Sequence, residues 1–140
     1  MIPRLSGPMF LPRSGTDAKS AVILLHGYGS DGKDLIPLGH MWSEGLRDTV
    51  FIAPNGPSPC DINPAGFQWF ALDLEDPRSR LTEARAAAPI IVQFLEDLWQ
   101  QTGLTAADTV LAGFSQGAMM ALHVGLILPE PPAGILAFSG

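Results

Sequence analysis

Gly113-Phe114-Ser115-Gln116-Gly117 is the segment of this chain best suited to covalent chemistry. It reads G-x-S-x-G and follows the apolar run Thr109-Val110-Leu111-Ala112. An apolar stretch comes after it and stops at Pro129. A serine on a sharp turn from strand to helix projects its hydroxyl above the sheet, where it can attack an acyl carbon. Side chains at the flanking positions would collide with the neighbouring strand and helix, which calls for Gly113 and Gly117. The helix N-terminus that follows favours developing negative charge. Ser115 is therefore the candidate nucleophile.

Acyl transfer through a tetrahedral intermediate also needs hydrogen-bond donors aimed at the oxyanion. One donor in such an arrangement is the backbone N–H of the residue after the nucleophile, here Gln116. The other comes from a loop after an early strand. Leu25-His26-Gly27-Tyr28-Gly29-Ser30-Asp31-Gly32 follows the apolar run Ala21–Leu25 and occupies that place. Tyr28 N–H is the natural second donor, and Gly27 and Gly29 let the backbone approach a substrate. His26 leads this loop and is expected to brace it by hydrogen bonding. Cys60 sits in a proline-rich stretch and reads as a small packing residue. The three histidines lack ligand-like spacing, so no metal site is expected, and the chemistry needs no cofactor.

These residues must be carried by short elements. Residues 5–11 predict an early strand, and 21–25, 50–53, 109–112 and 135–138 predict strands whose continuous apolar runs suit burial on both faces. Helices are expected over 34–46 and 116–128. A third is marked by Ile91, Phe94, Leu95 and Leu98 at i, i+3, i+4 and i+7, with Gly103 as its C-terminal cap. Residues 54–79, with five prolines, predict a long irregular segment, a place where function often resides. Strand–helix alternation of this kind implies a mostly parallel sheet with helices on both faces. The 140 residues read as one domain.

Fourteen acidic residues against eight basic ones give a formal charge of −6 with no basic stripe, which disfavours nucleic acid as a partner. The run 110–128 lacks formal charge but contains Ser115, Gln116, His123 and glycines, and reads as a buried strand and helix rather than a membrane span. The N-terminus has no signal-peptide pattern, and one cysteine precludes an intrachain disulfide. A cytoplasmic location is the expectation.

The chain resembles the carboxylesterase/phospholipase family of the α/β-hydrolase superfamily, which includes acyl-protein thioesterases and lysophospholipases. The matching residues are Leu25–Gly32 with Asp34-Leu35, Ala53-Pro54-Asn55, Gln68-Trp69-Phe70, Gly113–Ala118 and Ala137-Phe138-Ser139-Gly140. The resemblance implies the α/β-hydrolase fold and Ser115 as nucleophile. It also implies an oxyanion hole from the amides of Tyr28 and Gln116, and an acyl groove in which Trp69 and Phe70 bind substrate. Esters, lysophospholipids or acyl thioesters are the implied substrates.

The superfamily orders its triad Ser, then Asp or Glu, then His. After Ser115 this chain offers only His123 and then Glu130, the reverse order. His123 lies eight residues beyond Ser115, roughly 12 Å along a helix, too far to act as its base. His40 precedes the serine. The family places its Asp and His in loops beyond the strand that ends at Ser139-Gly140. The expectation is therefore an N-terminal portion of an esterase, with the last strands, the C-terminal helix and the base supplied elsewhere. Its apolar sheet edge at 135–138 would take up a complementing C-terminal chain or a second copy. The alternative is a catalytically inactive hydrolase fold used for binding or assembly. A cysteine-dependent, dienelactone-hydrolase-like enzyme is disfavoured, because the turn holds Ser115 and Cys60 lies elsewhere.

Overall fold

A computed structural model describes residues 2–138. The Ser139-Gly140 end of the family resemblance lies outside the described residues. Five strands share one sheet: β1 (Met9–Phe10), β2 (Ser20–Leu25), β3 (Thr49–Ile52), β6 (Thr109–Phe114) and β7 (Gly134–Phe138). Their spatial order is β1-β3-β2-β6-β7. β1 runs antiparallel to β3, and the remaining pairs are parallel. Parallel neighbours need crossover connections, supplied here by α1 (Gly32–Trp42), α2 (Ser79–Thr102) and α3 (Gln116–Ile127). A ribbon of β4 (Ser58–Pro59) and β5 (Phe67–Gln68) stands apart from the main sheet.

The period-two alternation of β2 divides the core into two layers. Ala21, Ile23 and Leu25 pack with Ile91, Leu95 and Leu98 of α2 and with Met120, Ala121 and Val124 of α3. Val22 and Leu24 point the other way, toward Leu35 and Ile36 of α1, with Phe51 and Ala112. Helices on both faces explain why β2 and β3 are apolar at nearly every position. Each fully buried Ile or Leu of α2 contributes roughly 1.5–3 kcal/mol to holding that helix down.

Three elements differ from the sequence expectation. The early strand keeps only Met9–Phe10, although Ser6 and Pro8 carbonyls still accept from Asn55 and Ala53 N–H. Pro8 has no N–H to return, so the ladder is one-sided there. α1 starts at Gly32, because Asp31 caps it by accepting from Asp34 N–H, and it runs through Pro37 to Trp42. α2 begins at Ser79, well before the apolar stripe. Its first half buries Ala84, Ala87 and Ala88, good helix formers that give little hydrophobic contrast. Gly103 ends α2 in the left-handed conformation (φ 78°), donating to Trp99 O, as expected of that cap.

Candidate active site

Ser115 lies between β6 and α3 with φ 56° and ψ −113°, and among the described residues it is the one non-glycine with positive φ. A conformation of this kind costs about 1–3 kcal/mol and persists only where its surroundings enforce it. Here Ser115 N–H donates to Phe138 O of β7 at 2.8 Å, while Ser115 O accepts from Ala118 N–H and Met119 N–H. The two flanking glycines make the turn possible by close approach. A Cβ on Gly113 would run into the carbonyl of Gly117, and one on Gly117 into the carbonyls of Leu25 and His26. The start of α3 thus rests directly on the end of β2, which brings the two sequence motifs together.

Gly27 completes that contact. A Cβ on it would lie 3.3 Å from Phe114 O and 3.5 Å from Ser115 Cβ. Beyond it, Tyr28 lines one shallow cleft of about 260 Å³ with Ser115 and Gln116. Among the described residues, neither Tyr28 N–H nor Gln116 N–H has an acceptor. Leu72, Arg80 and Met119 complete the lining. Larger cavities of about 550 and 460 Å³ share Met9, Leu98 and Gln101, and neither includes Ser115. Trp69 and Phe70 are 3% and 5% exposed and stand behind the cleft rather than in its lining.

His26 is fully buried, and both ring nitrogens are engaged. Nε2 accepts from Gly56 N–H at 2.8 Å, which leaves Nδ1 to carry the proton and donate to Gly27 O at 2.7 Å. Trp69 stacks on the ring with centroids 5.1 Å apart and donates its indole N–H to His26 O at 2.8 Å. Burial pushes the His26 pKa below its ordinary 6.5, only partly offset by the hydrogen bond to Gly27. The unfolded chain therefore binds a proton at a pH where the folded chain does not, and stability rises with pH across that interval. Chain stability is expected to fall as pH drops below 6.5, through the lower folded value. Denaturant midpoints between pH 7.5 and 5 check this; His26→Asn should be less stable throughout and show a shallower pH slope.

No described histidine lines the Ser115 cleft, and no side chain among the described residues accepts from Ser115 Oγ. His40 packs its ring edge-on against Phe10. Glu130 accepts from Ala107 N–H at 3.1 Å and does not line the Ser115 cleft. Cys60 is buried and unpaired, beside Gly29.

Sequence reasoning missed two features of the site. Leu72, Arg80 and Met119 reach the cleft from the long segment, α2 and α3 respectively, which no local pattern signals. The Gln116 side chain, read only for its backbone, is buried and spans two hydrogen bonds to Trp69 and Phe70. A glutamine opening a helix whose other residues, His123 apart, are apolar was the available hint.

A family model described as phospholipase/carboxylesterase matches residues 10–140. An esterase of Escherichia coli, YpfH, is 29% identical over 123 residues, 88% of this chain and 53% of that protein. Acyl-protein thioesterase 1 of Candida albicans is 29% identical over 139 residues, 93% of this chain and 60% of that one. The crystal structure of esterase PE8 superposes with a TM-score of 0.91 at 58% identity, covering 96% of this chain and 63% of the other. The chain thus spans between 53% and 63% of the length of these three relatives.

Proposed function

Because this chain belongs to the phospholipase/carboxylesterase family, we propose that it carries the nucleophile and oxyanion hole of a serine ester hydrolase. The observation that carries this reading is Ser115, held in a strained turn beside two backbone N–H groups that have no acceptor among the described residues. Ser115 Oγ attacks the carbonyl carbon of an ester or thioester while a base removes its proton. The carbonyl oxygen gains the negative charge and accepts from Tyr28 and Gln116 N–H. Collapse of the tetrahedral intermediate expels the alcohol or thiol, which takes the proton from the base. Water then cleaves the acyl-enzyme by the same steps, with the base again accepting the proton.

His26 is not that base, since its Nε2 is committed to Gly56 N–H. The catalytic Asp and His belong to a segment outside these 140 residues. Leu136 and Phe138 of β7 are 43% and 45% exposed, and Leu126 of α3 is 82% exposed. This apolar surface supports the packing of that segment beside β7. Leu72 and Met119 form the apolar wall for the acyl group, and Trp69 and Phe70 act on substrate through the wall they support. The substrate is a carboxylic ester, a lysophospholipid or an acyl thioester. Among the described residues no helix is long and apolar enough to cross a membrane. The buried, unpaired Cys60 supports the cytoplasmic reading.

The test is ester turnover and fluorophosphonate labelling, with the chain alone and with a segment supplying the Asp and His. A short-chain nitrophenyl ester is expected to turn over, and Ser115 to be labelled, only in the second sample. Rapid turnover by the chain alone would refute the external base, and a phosphonate adduct at another residue would refute the nucleophile. Inactivity in both samples would favour the inactive binding fold.

A further inference from the structure

Gln116 is 3% exposed, and its side-chain amide spans the gap between α3 and the long segment. Its Oε1 accepts from Trp69 N–H at 2.8 Å, and its Nε2 donates to Phe70 O at 2.9 Å. The same residue presents, beside Ser115, a backbone N–H that has no acceptor among the described residues. Trp69 in turn stacks on His26 and bonds to its carbonyl, one residue before Gly27. Both oxyanion donors are thereby tied to one dipeptide, Trp69-Phe70, and Leu72 enters the cleft two residues later.

We propose that the Gln116 side chain is a positioning group that clamps Trp69-Phe70 to the first turn of α3, fixing the aim of both oxyanion donors and the cleft wall at Leu72. An apolar residue of similar length would fill the space but leave a buried N–H and C=O without partners. A neutral carboxylic acid would serve nearly as well as the amide, because it offers one acceptor and one donor. A carboxylate offers acceptors only and would face Phe70 O with like polarity.

Gln116→Met and Gln116→Glu test this by two readouts. Hydrogen exchange on the 140-residue chain reads the clamp: Gln116→Met should lose protection at Trp69 N–H by about tenfold or more, with the amides of β2 and β6 unchanged. Gln116→Glu keeps an acceptor for Trp69 N–H, so protection there should exceed that of Gln116→Met at every pH. Its carboxylate lacks the donor to Phe70 O, and the Phe70 carbonyl ¹³C shift should return toward the wild-type value on acidification, since burial raises a carboxyl pKa and the neutral acid donates again. The other titratable groups on this network and cleft are His26, Tyr28 and Arg80. Gln116→Met retains all three and so controls for their titration. The second readout rests on the esterase reading and uses the turnover-competent protein. There kcat of Gln116→Met should fall about 10²-fold with KM little changed, and the ratio of Gln116→Glu kcat to wild-type kcat should rise toward acid pH. Wild-type protection of Trp69 in Gln116→Met, or a Phe70 carbonyl shift in Gln116→Glu that ignores pH, would overturn the clamp. A clamp confirmed by exchange with kcat unaffected would overturn its positioning role. An inactive wild type would refute the esterase reading instead, leaving the clamp to be decided by exchange.

Discussion

With the segment that supplies the Asp and His present, Ser115→Ala is expected to lower ester turnover by about 10⁴- to 10⁶-fold, with the fold intact. The size follows from the chemistry, because no other side chain in the cleft can form the acyl intermediate. Of the lining residues Tyr28, Leu72, Arg80, Gln116 and Met119, none is an activated nucleophile. Residual rate would come from the oxyanion donors and substrate binding. A companion substitution separates chemistry from strain. Ser115→Ala keeps a Cβ at φ 56° and so keeps the backbone cost. Ser115→Gly is equally inactive but releases about 1 kcal/mol or more of that cost, which for a domain of this size raises Tm by roughly 2–4 °C per kcal/mol. Kinetics and thermal melts of the three proteins check both statements. Turnover surviving in Ser115→Ala would remove the serine mechanism, and a Ser115→Gly variant less stable than Ser115→Ala by the ordinary cost of glycine, about 0.4–1 kcal/mol, would mean that the turn is not strained.

Gly117→Ala carries the largest expected effect on stability. The added Cβ would collide with the carbonyls of Leu25 and His26, which are backbone atoms at the end of the central strand. They cannot move without displacing β2 from β3 and β6, its neighbours on either side. Overpacking against backbone of this kind costs about 3 kcal/mol or more. Gly113→Ala meets the Gly117 carbonyl in the same way and should behave alike. Gly45→Ala is the control: its nearest neighbour, Trp42 O, is 4.0 Å from the new Cβ, and its stability should change little. Urea midpoints measured side by side would expose the contrast. A Gly117→Ala variant as stable as Gly45→Ala would mean that α3 and β2 are not in the contact described here.

The elements that carry the site were legible for physical reasons that are local. Val22, Ile23 and Leu24 form an uninterrupted apolar run because β2 is covered on both faces, and that run stops where the backbone must turn toward the cleft. The G-x-S-x-G pattern was legible because only glycine tolerates the approach seen at positions 113 and 117. The extent of α2 was not, since Ala84, Ala87 and Ala88 are buried without an apolar contrast that periodicity could detect. Trp69 and Phe70 show the limit more sharply. The family resemblance implies contact with substrate for these two aromatics. Their burial depends on His26, 43 residues before Trp69, and on Gln116, 46 residues after Phe70.

The sequence by itself determined what kind of atoms these segments hold: a serine on a glycine-flanked turn and a glycine loop after an early strand. It could do so because strand period, helix period and glycine's lack of a Cβ act over a few residues. Only the tertiary structure decided how those atoms are aimed. Gly27 lies against Ser115, His26 bonds across 30 residues to Gly56, and the Gln116 side chain fastens the long segment to the helix that follows the serine. These are contacts between segments distant in sequence. They arise from the parallel packing of β2 against β6, which sets the ends of both strands side by side and leaves their two loops facing one cleft.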